Sequence, residues 1–154
     1  MLPGDILIRR FTTERNRIYD ELFNPYFTHS AVYIGDGSLF EAIGDDVKPE
    51  DQIKITKLKE TNWSDPNMVE FVVIRPKNYS SKLDSIINDF INIAENPEYV
   101  FGLPNPNKKR ATCADIIVKI LKEENIISDT HDSPELITPD YLFLITERDE
   151  SNFE

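Results

Sequence analysis

The stretch "FTHSAVYIGDGSLFEAIG", residues 27–44, constrains the fold of this chain more than any other segment. Asp36-Gly37 is a hairpin turn signal, and the residues flanking it are the apolar, aromatic and β-branched types that suit a pleated, half-buried surface. A two-stranded hairpin is not stable alone, so it needs further strands or a helix against its apolar face. "PGDILIRR" at 3–10 supplies one strand: a Pro-Gly turn, then Ile6 and Ile8 alternating with Asp5, Leu7 and Arg9. "VEFVVIRP" at 69–76 supplies another, ended by Pro76, and residues 53–58 a short third.

Two segments carry helical spacing instead. In "SSKLDSIINDFINIAEN", Leu83, Ile86, Ile87, Phe90, Ile91 and Ala94 recur at helical intervals after a serine placed to cap the start. "TCADIIVKILKEEN" gives a second amphipathic helix. Residues 12–26 read as an irregular connection, "PEYVFGLPNPNKKR" as a breaker-rich loop, and "ITPDYLFLI" as a turn running into a short apolar segment. Strands come early and are joined by hairpins, with helices after them. That order predicts an α+β fold, an antiparallel sheet packed with helices.

Bulk properties narrow the function classes. The 154 residues suit one domain with a real core. A net charge of −11 argues against sequence-independent binding to nucleic acid or to anionic lipid. Between Glu123 and Glu154 there are ten acids and one base, Arg148, a charge run that reads as solvent-facing. Apolar runs such as "FVVI" are far too short to span a bilayer. "MLPGDILIRR" lacks the basic flank and apolar region of a signal peptide, so a chain that starts natively at Met1 is expected to be cytoplasmic. The single cysteine excludes an intrachain disulfide. Two histidines and one cysteine, without C-x-x-C or H-x-x-x-H spacing, argue against a structural zinc site. Nothing in the chain calls for a metal or another cofactor.

A lone cysteine with a histidine elsewhere raises the question of a thiol nucleophile. Cys113 opens the second helix, where unpaired backbone N–H groups and the helix dipole lower a thiol pKa, with Lys108, Lys109 and Arg110 just upstream. It also shares a helical face with Ile116, Ile117, Ile120 and Leu121, which suits a small buried hydrophobe equally well. His29 is the natural base for such a thiol, and Glu41 the acid that fixes its tautomer. Their bland readings are a hydrogen-bonded strand-end histidine and a solvated carboxylate. His131, in "DTHDSPE", reads as a surface-loop residue.

Strand parity decides whether His29 and Glu41 can meet. A two-residue loop at Asp36-Gly37 pairs Val32 with Glu41 and puts His29 and Glu41 on opposite faces. A three-residue loop, Gly35-Asp36-Gly37, pairs Ala31 with Glu41 and Val32 with Phe40. His29, Ala31 and Glu41 then share one face, and Val32, Ile34, Phe40 and Ala42 the other. The second register separates site from core, and it predicts Gly37 at positive φ beside a bulge.

The sequence of parts, "PGD", "HSAVYIGDG", "FEA", "EYVFG", "TCADIIVKI" and "TPDYL", resembles the permuted papain-like branch of the NlpC-type cysteine hydrolases. The YiiX/YebB-like group is nearest, with lecithin:retinol acyltransferase and its relatives more distant. The resemblance spans residues 1–145 as one hydrolase domain, leaving 146–154 as an acidic C-terminal tail. It implies a circularly permuted papain-like fold with a small barrel-like sheet, in which the histidine hairpin precedes the cysteine helix. It makes Cys113 the nucleophile, His29 the base and Glu41 the orienting residue. Where an aromatic residue is expected just before the cysteine, this chain has Ala111-Thr112. The backbone N–H of Cys113 is the candidate oxyanion donor.

The implied activity is thiol hydrolysis of an amide or ester through an acyl-enzyme. The expected substrate is a small peptide-like molecule, such as a cell-wall-derived peptide, or an acyl compound. Tyr99, Phe101 and Asn105 in the loop before the nucleophile are the candidate substrate contacts. The competing expectations are a non-catalytic binding module on the same fold and an acyltransferase or lipid thiolesterase.

Overall fold

Alternation of apolar and polar residues builds the sheet. The computed structural model describes residues 1–11, 26–42, 53–61, 63, 68–77, 82–96, 99–101, 109–128, 137–148 and 152–154, with backbone only at 11, 68–69, 99–101 and 109–111. Strands β1 (Ile6–Phe11), β2 (His29–Gly35), β3 (Ser38–Ala42), β4 (Ile53–Lys57) and β5 (Met68–Ile74) form an antiparallel sheet in the order β4-β3-β2-β1-β5. Strands β1 to β4 are sequential neighbours, and β5 crosses to the far edge to pair with β1. The fold class is α+β.

Period-two alternation gives the sheet two different faces. Ile6, Ile8, Val32, Phe40, Ala42, Ile53 and Ile74 belong to the main core, together with the buried faces of three helices. These are α1 (Leu83–Glu95), α2 (Cys113–Glu123) and α3 (Pro139–Arg148). Leu7, Ala31 and Leu39 point the other way and gather under Trp63 as a smaller cluster. His29 and Glu41 lie on that second face, while Cys113 belongs to the main core.

Helix starts depart from expectation in instructive ways. The N-cap position of α1 is Lys82, whose side chain makes no cap hydrogen bond; Ser80 and Ser81 lie outside the described residues. The segment after Thr138 is not a turn and an apolar tail but helix α3. Proline suits a first helical position, and Thr138 Oγ1 accepts the N–H of Tyr141 at 3.1 Å. The breaker-rich segment before Cys113 is also more regular than expected. Strands β6 (Tyr99–Phe101) and β7 (Lys109–Ala111) pair in parallel, with Phe101 opposite Ala111.

The C-terminal acidic stretch does not hang free. Thr146 and Phe153 are buried, and Phe153 bridges to Pro76. Arg75 and Glu154 exchange backbone hydrogen bonds of 2.8 and 2.7 Å, and the Lys77 N–H reaches Asn152 O at 2.6 Å. One apolar side chain every few residues is enough to dock such a segment, because Glu147 and Glu154 stay exposed while the backbone of 152–154 extends the end of β5. Among the described residues no helix is long and apolar enough to cross a membrane. Phe153→Ala is expected to destabilise the protein by about 3 kcal/mol, read as a lower urea midpoint at unchanged slope. A solvated tail would leave the midpoint where it was.

Candidate active site

The hairpin carries two of the three candidate residues, and its turn sets their geometry. Asp36 and Gly37 have φ of 51° and 67°, the left-handed pair of a two-residue type I′ loop. Gly35 therefore pairs with Ser38, which corrects the three-residue loop expected from the sequence. A bulge between Tyr33 and Gly35 then takes up one residue, with Gly35 at φ 99°. Beyond the bulge Val32 faces Phe40 and Ala31 faces Glu41, so His29 and Glu41 lie on one face. Gly37 has the positive φ predicted for it. Asp-Gly satisfies the tight turn by itself, and the irregularity moves into the strand.

His29 and Glu41 meet directly. His29 Nε2 lies 2.9 Å from Glu41 Oε2. Glu41 is 2 % exposed, and both oxygens of its carboxylate have further partners: the Trp63 indole N–H donates to Oε2 at 2.9 Å and Thr56 Oγ1 donates to Oε1 at 2.5 Å. Trp63 also stacks beside the imidazole at 5.6 Å, and the buried Arg9 guanidinium lies 4.3 Å over the indole. The run-up to His29 is pinned by Asp140 in the first turn of α3, which accepts the N–H groups of Tyr26 and Phe27 at 2.8 Å each.

Cys113 is the first residue of α2 and is 7 % exposed. Thr112 caps the helix: its Oγ1 accepts the Asp115 N–H at 3.1 Å, while Asp115 Oδ2 accepts the Thr112 N–H at 3.2 Å. Thr112 Oγ1 also donates to Ile137 O at 3.2 Å, tying the Cys113 helix to the segment that leads into α3. Nε2 of His29 is committed to Glu41, which leaves Nδ1 to face other groups, and the imidazole and the Cys113 thiol each shift the other toward its charged form. Sulfur, imidazole and carboxylate are thus coupled in that order.

The electrostatics favour charge separation among the three. Burial is the largest influence on Cys113 and opposes its ionisation. The His29 hydrogen bond and charge, with smaller contributions from Ser30, outweigh it and bring the thiol below its ordinary value. Burial likewise works against an imidazolium at His29. Hydrogen bonds to Cys113 and Glu41 and the charge of the thiolate overcome it, against a small opposing push from Arg9, and raise the pKa to about 9. Glu41, despite its burial, is held at about 2 by the hydrogen bond and charge of His29 and by Thr56 and Trp63. The shifts favour thiolate, imidazolium and carboxylate over the neutral forms.

The other candidates are placed less fully. Tyr99 and Phe101 lie in β6, whose backbone runs beside the residues delivering Cys113; their side chains and Asn105 lie outside the described residues. His131 lies outside them as well. Among the described residues no group of three or more His, Cys, Asp or Glu is placed to hold a metal ion. Sequence reasoning missed Thr56, Trp63, Arg9 and Ser30. A single tryptophan and a threonine on the next strand carry no spacing signal, since only the sheet brings them to Glu41. Thr112 had one: Thr-x-x-Asp before an apolar run is a capping-box signature. Compared with protein-family models the chain matches none, and a search of characterised proteins gives no match.

The sign of the linkage is set by the directions of the shifts. His29 is raised from 6.5 to about 9, so its contribution to stability is complete below pH 6.5 and is lost as pH rises through about 9. Glu41 is lowered from 4.5 to about 2, so its contribution is present above pH 4.5 and is lost as pH falls toward 2. Glu41→Gln keeps the shape and removes the charge. It is expected to move the His29 titration, followed by imidazole proton NMR, downward from about 9, and to cost about 3 kcal/mol in urea unfolding at pH 7. An unmoved titration would show that Glu41 does not hold the imidazolium.

Proposed function

We propose that this chain is a thiol hydrolase of the permuted papain-like, NlpC-type fold, cleaving an amide or ester through an acyl-enzyme on Cys113. The observation that carries the reading is the buried His29–Glu41 hydrogen bond coupled to Cys113, with the sulfur at the start of a capped helix. Cys113 Sγ attacks the carbonyl as a thiolate. His29, already an imidazolium, gives its proton to the leaving group and then takes one from the attacking water. Glu41 never leaves its three hydrogen-bond partners and keeps the ring oriented throughout. The backbone N–H of Cys113, at the positive end of α2, is the donor available to a developing oxyanion.

The order of the parts supports the permuted arrangement: the histidine hairpin β2–β3 precedes the cysteine helix α2 in the chain. A carboxylate rather than a second histidine as the orienting group favours hydrolysis over acyl transfer. Amide substrates of peptide-like character suit the strongly acidic chain better than substrates held on an anionic lipid surface. The binding-module alternative draws less support, because a set of three buried ionisable groups is costly to keep without a use for it.

Incubation with a panel of activated acyl esters and short peptide amides, read by intact mass, tests the reading. The expected result is a transient acyl adduct on Cys113 together with turnover. Cys113→Ala abolishes both, and His29→Ala lowers kcat/KM by ~10²-fold or more. Absence of adduct and turnover across the panel, or an adduct on another residue, would count against it.

A further inference from the structure

Ser30 is the residue beside the sulfur that the three-residue set does not use. It follows His29 in β2, pairs with Ile8 in β1, and is fully buried. Parity turns its side chain to the face opposite His29, the face covered by α2. Its hydroxyl has no well-formed hydrogen bond to any described group, an unusual condition for a polar atom with no access to water. α2, which Cys113 opens, packs on that face, and the hydroxyl and N–H of Ser30 both favour the ionised form of the Cys113 thiol. A hydroxyl rotates freely about its C–O bond, so a buried one without a fixed acceptor is poised for whichever nearby atom gains negative charge.

We propose that Ser30 is a positioning residue for the nucleophile, whose hydroxyl holds the Cys113 sulfur as thiolate and receives it again when the acyl group leaves. The inference rests on the thiol-hydrolase reading and adds a residue to it. In the resting enzyme the sulfur is anionic, and donors around it lower its energy. When the sulfur attacks, its electron pair forms the C–S bond and the hydroxyl loses its anionic partner inside the core. In deacylation His29 takes a proton from water, the resulting oxygen adds to the thioester carbonyl, and the C–S bond breaks. The electron pair returns to Sγ, the acid departs, and the Ser30 hydroxyl regains its acceptor. A donor at that position makes the thiolate a better leaving group, because a thiol of lower pKa leaves faster. Among the described residues, the other charged groups on the elements packed here are His29 on the same strand, Arg9 and Glu41 on β1 and β3, and Asp115 in the first turn of α2, tied to the cap. None of them depends on the Ser30 hydroxyl for its place.

The test is the pH dependence of iodoacetamide alkylation of the sole cysteine in the full chain, for the natural protein, Ser30→Ala and Ser30→Thr. In the natural protein the rate is expected to stay high well below ~8.5, the ordinary thiol value. Ser30→Ala, smaller than serine and free of any steric demand, is expected to move the acidic limb upward by about one pKa unit. Ser30→Thr, which keeps the hydroxyl, holds the limb near its natural position. A Ser30→Ala profile that coincides with the natural one overturns the proposal while leaving Cys113 as the nucleophile. Equal shifts in both variants overturn it too, since packing and not the hydroxyl would then be responsible. An inflection near ~8.5 in the natural protein overturns both this proposal and the reading beneath it.

Discussion

The extra residue in the β2–β3 hairpin decides which face of the sheet Glu41 occupies, and the site depends on that choice. Side chains alternate, so a register displaced by one would send Glu41 into the main core beside Val32, turn Phe40 out of it and leave His29 without an acid. The bulge between Tyr33 and Gly35 prevents this, and glycine at φ 99° makes it possible without strain. With the register fixed, the sheet does two jobs at once. One face carries the apolar stripe that α1, α2 and α3 cover, and the other carries a carboxylate, an imidazole and a guanidinium under one indole.

A buried carboxylate is tolerable only when its charge and lone pairs are met. Glu41 accepts from Trp63 and Thr56 and pairs with His29, while Arg9 stacks over the same tryptophan. Counting Cys113 as thiolate and His29 as imidazolium, the four ionised side chains around the site carry two positive and two negative charges. Balance of that kind explains how a small, acidic protein keeps ions in its interior without an excess of like charge there. It also explains the direction of each shift. The imidazole favours the charged form of both Cys113 and Glu41, and each of them favours the imidazolium in return.

Much of this was legible from residue order, and the losses have physical reasons. The five strands and two longer helices were visible because their patterns repeat at periods of two and 3.6. The shared face of His29 and Glu41 was legible from parity once a bulge was allowed, although the loop closed on two residues and the bulge fell in the strand. Helix α3 was hidden because its apolar face is short and its Thr-Pro-Asp start reads equally well as a turn. The docking of Phe153 was hidden by the charges around it. Trp63, Thr56 and Arg9 reach Glu41 or its neighbours only through pairing between distant strands, which no local pattern records. Ser30 was invisible for the opposite reason: it sits next to His29 in sequence but on the other face, where a serine in an apolar run attracts no notice.

The central claim is that the sulfur of Cys113 and the imidazole of His29 are both ionised at neutral pH. Because the chain has one cysteine, thiolate absorbance in the ultraviolet, taken as a difference against Cys113→Ala, reports that sulfur alone. Followed with the His29 imidazole proton resonances in the same titration, it reads both halves of the pair. The account predicts thiolate absorbance at full strength at neutral pH and well below ~8.5, with the imidazolium persisting until about pH 9. A thiolate that forms only near ~8.5, beside an imidazole that titrates near ~6.5, would contradict it.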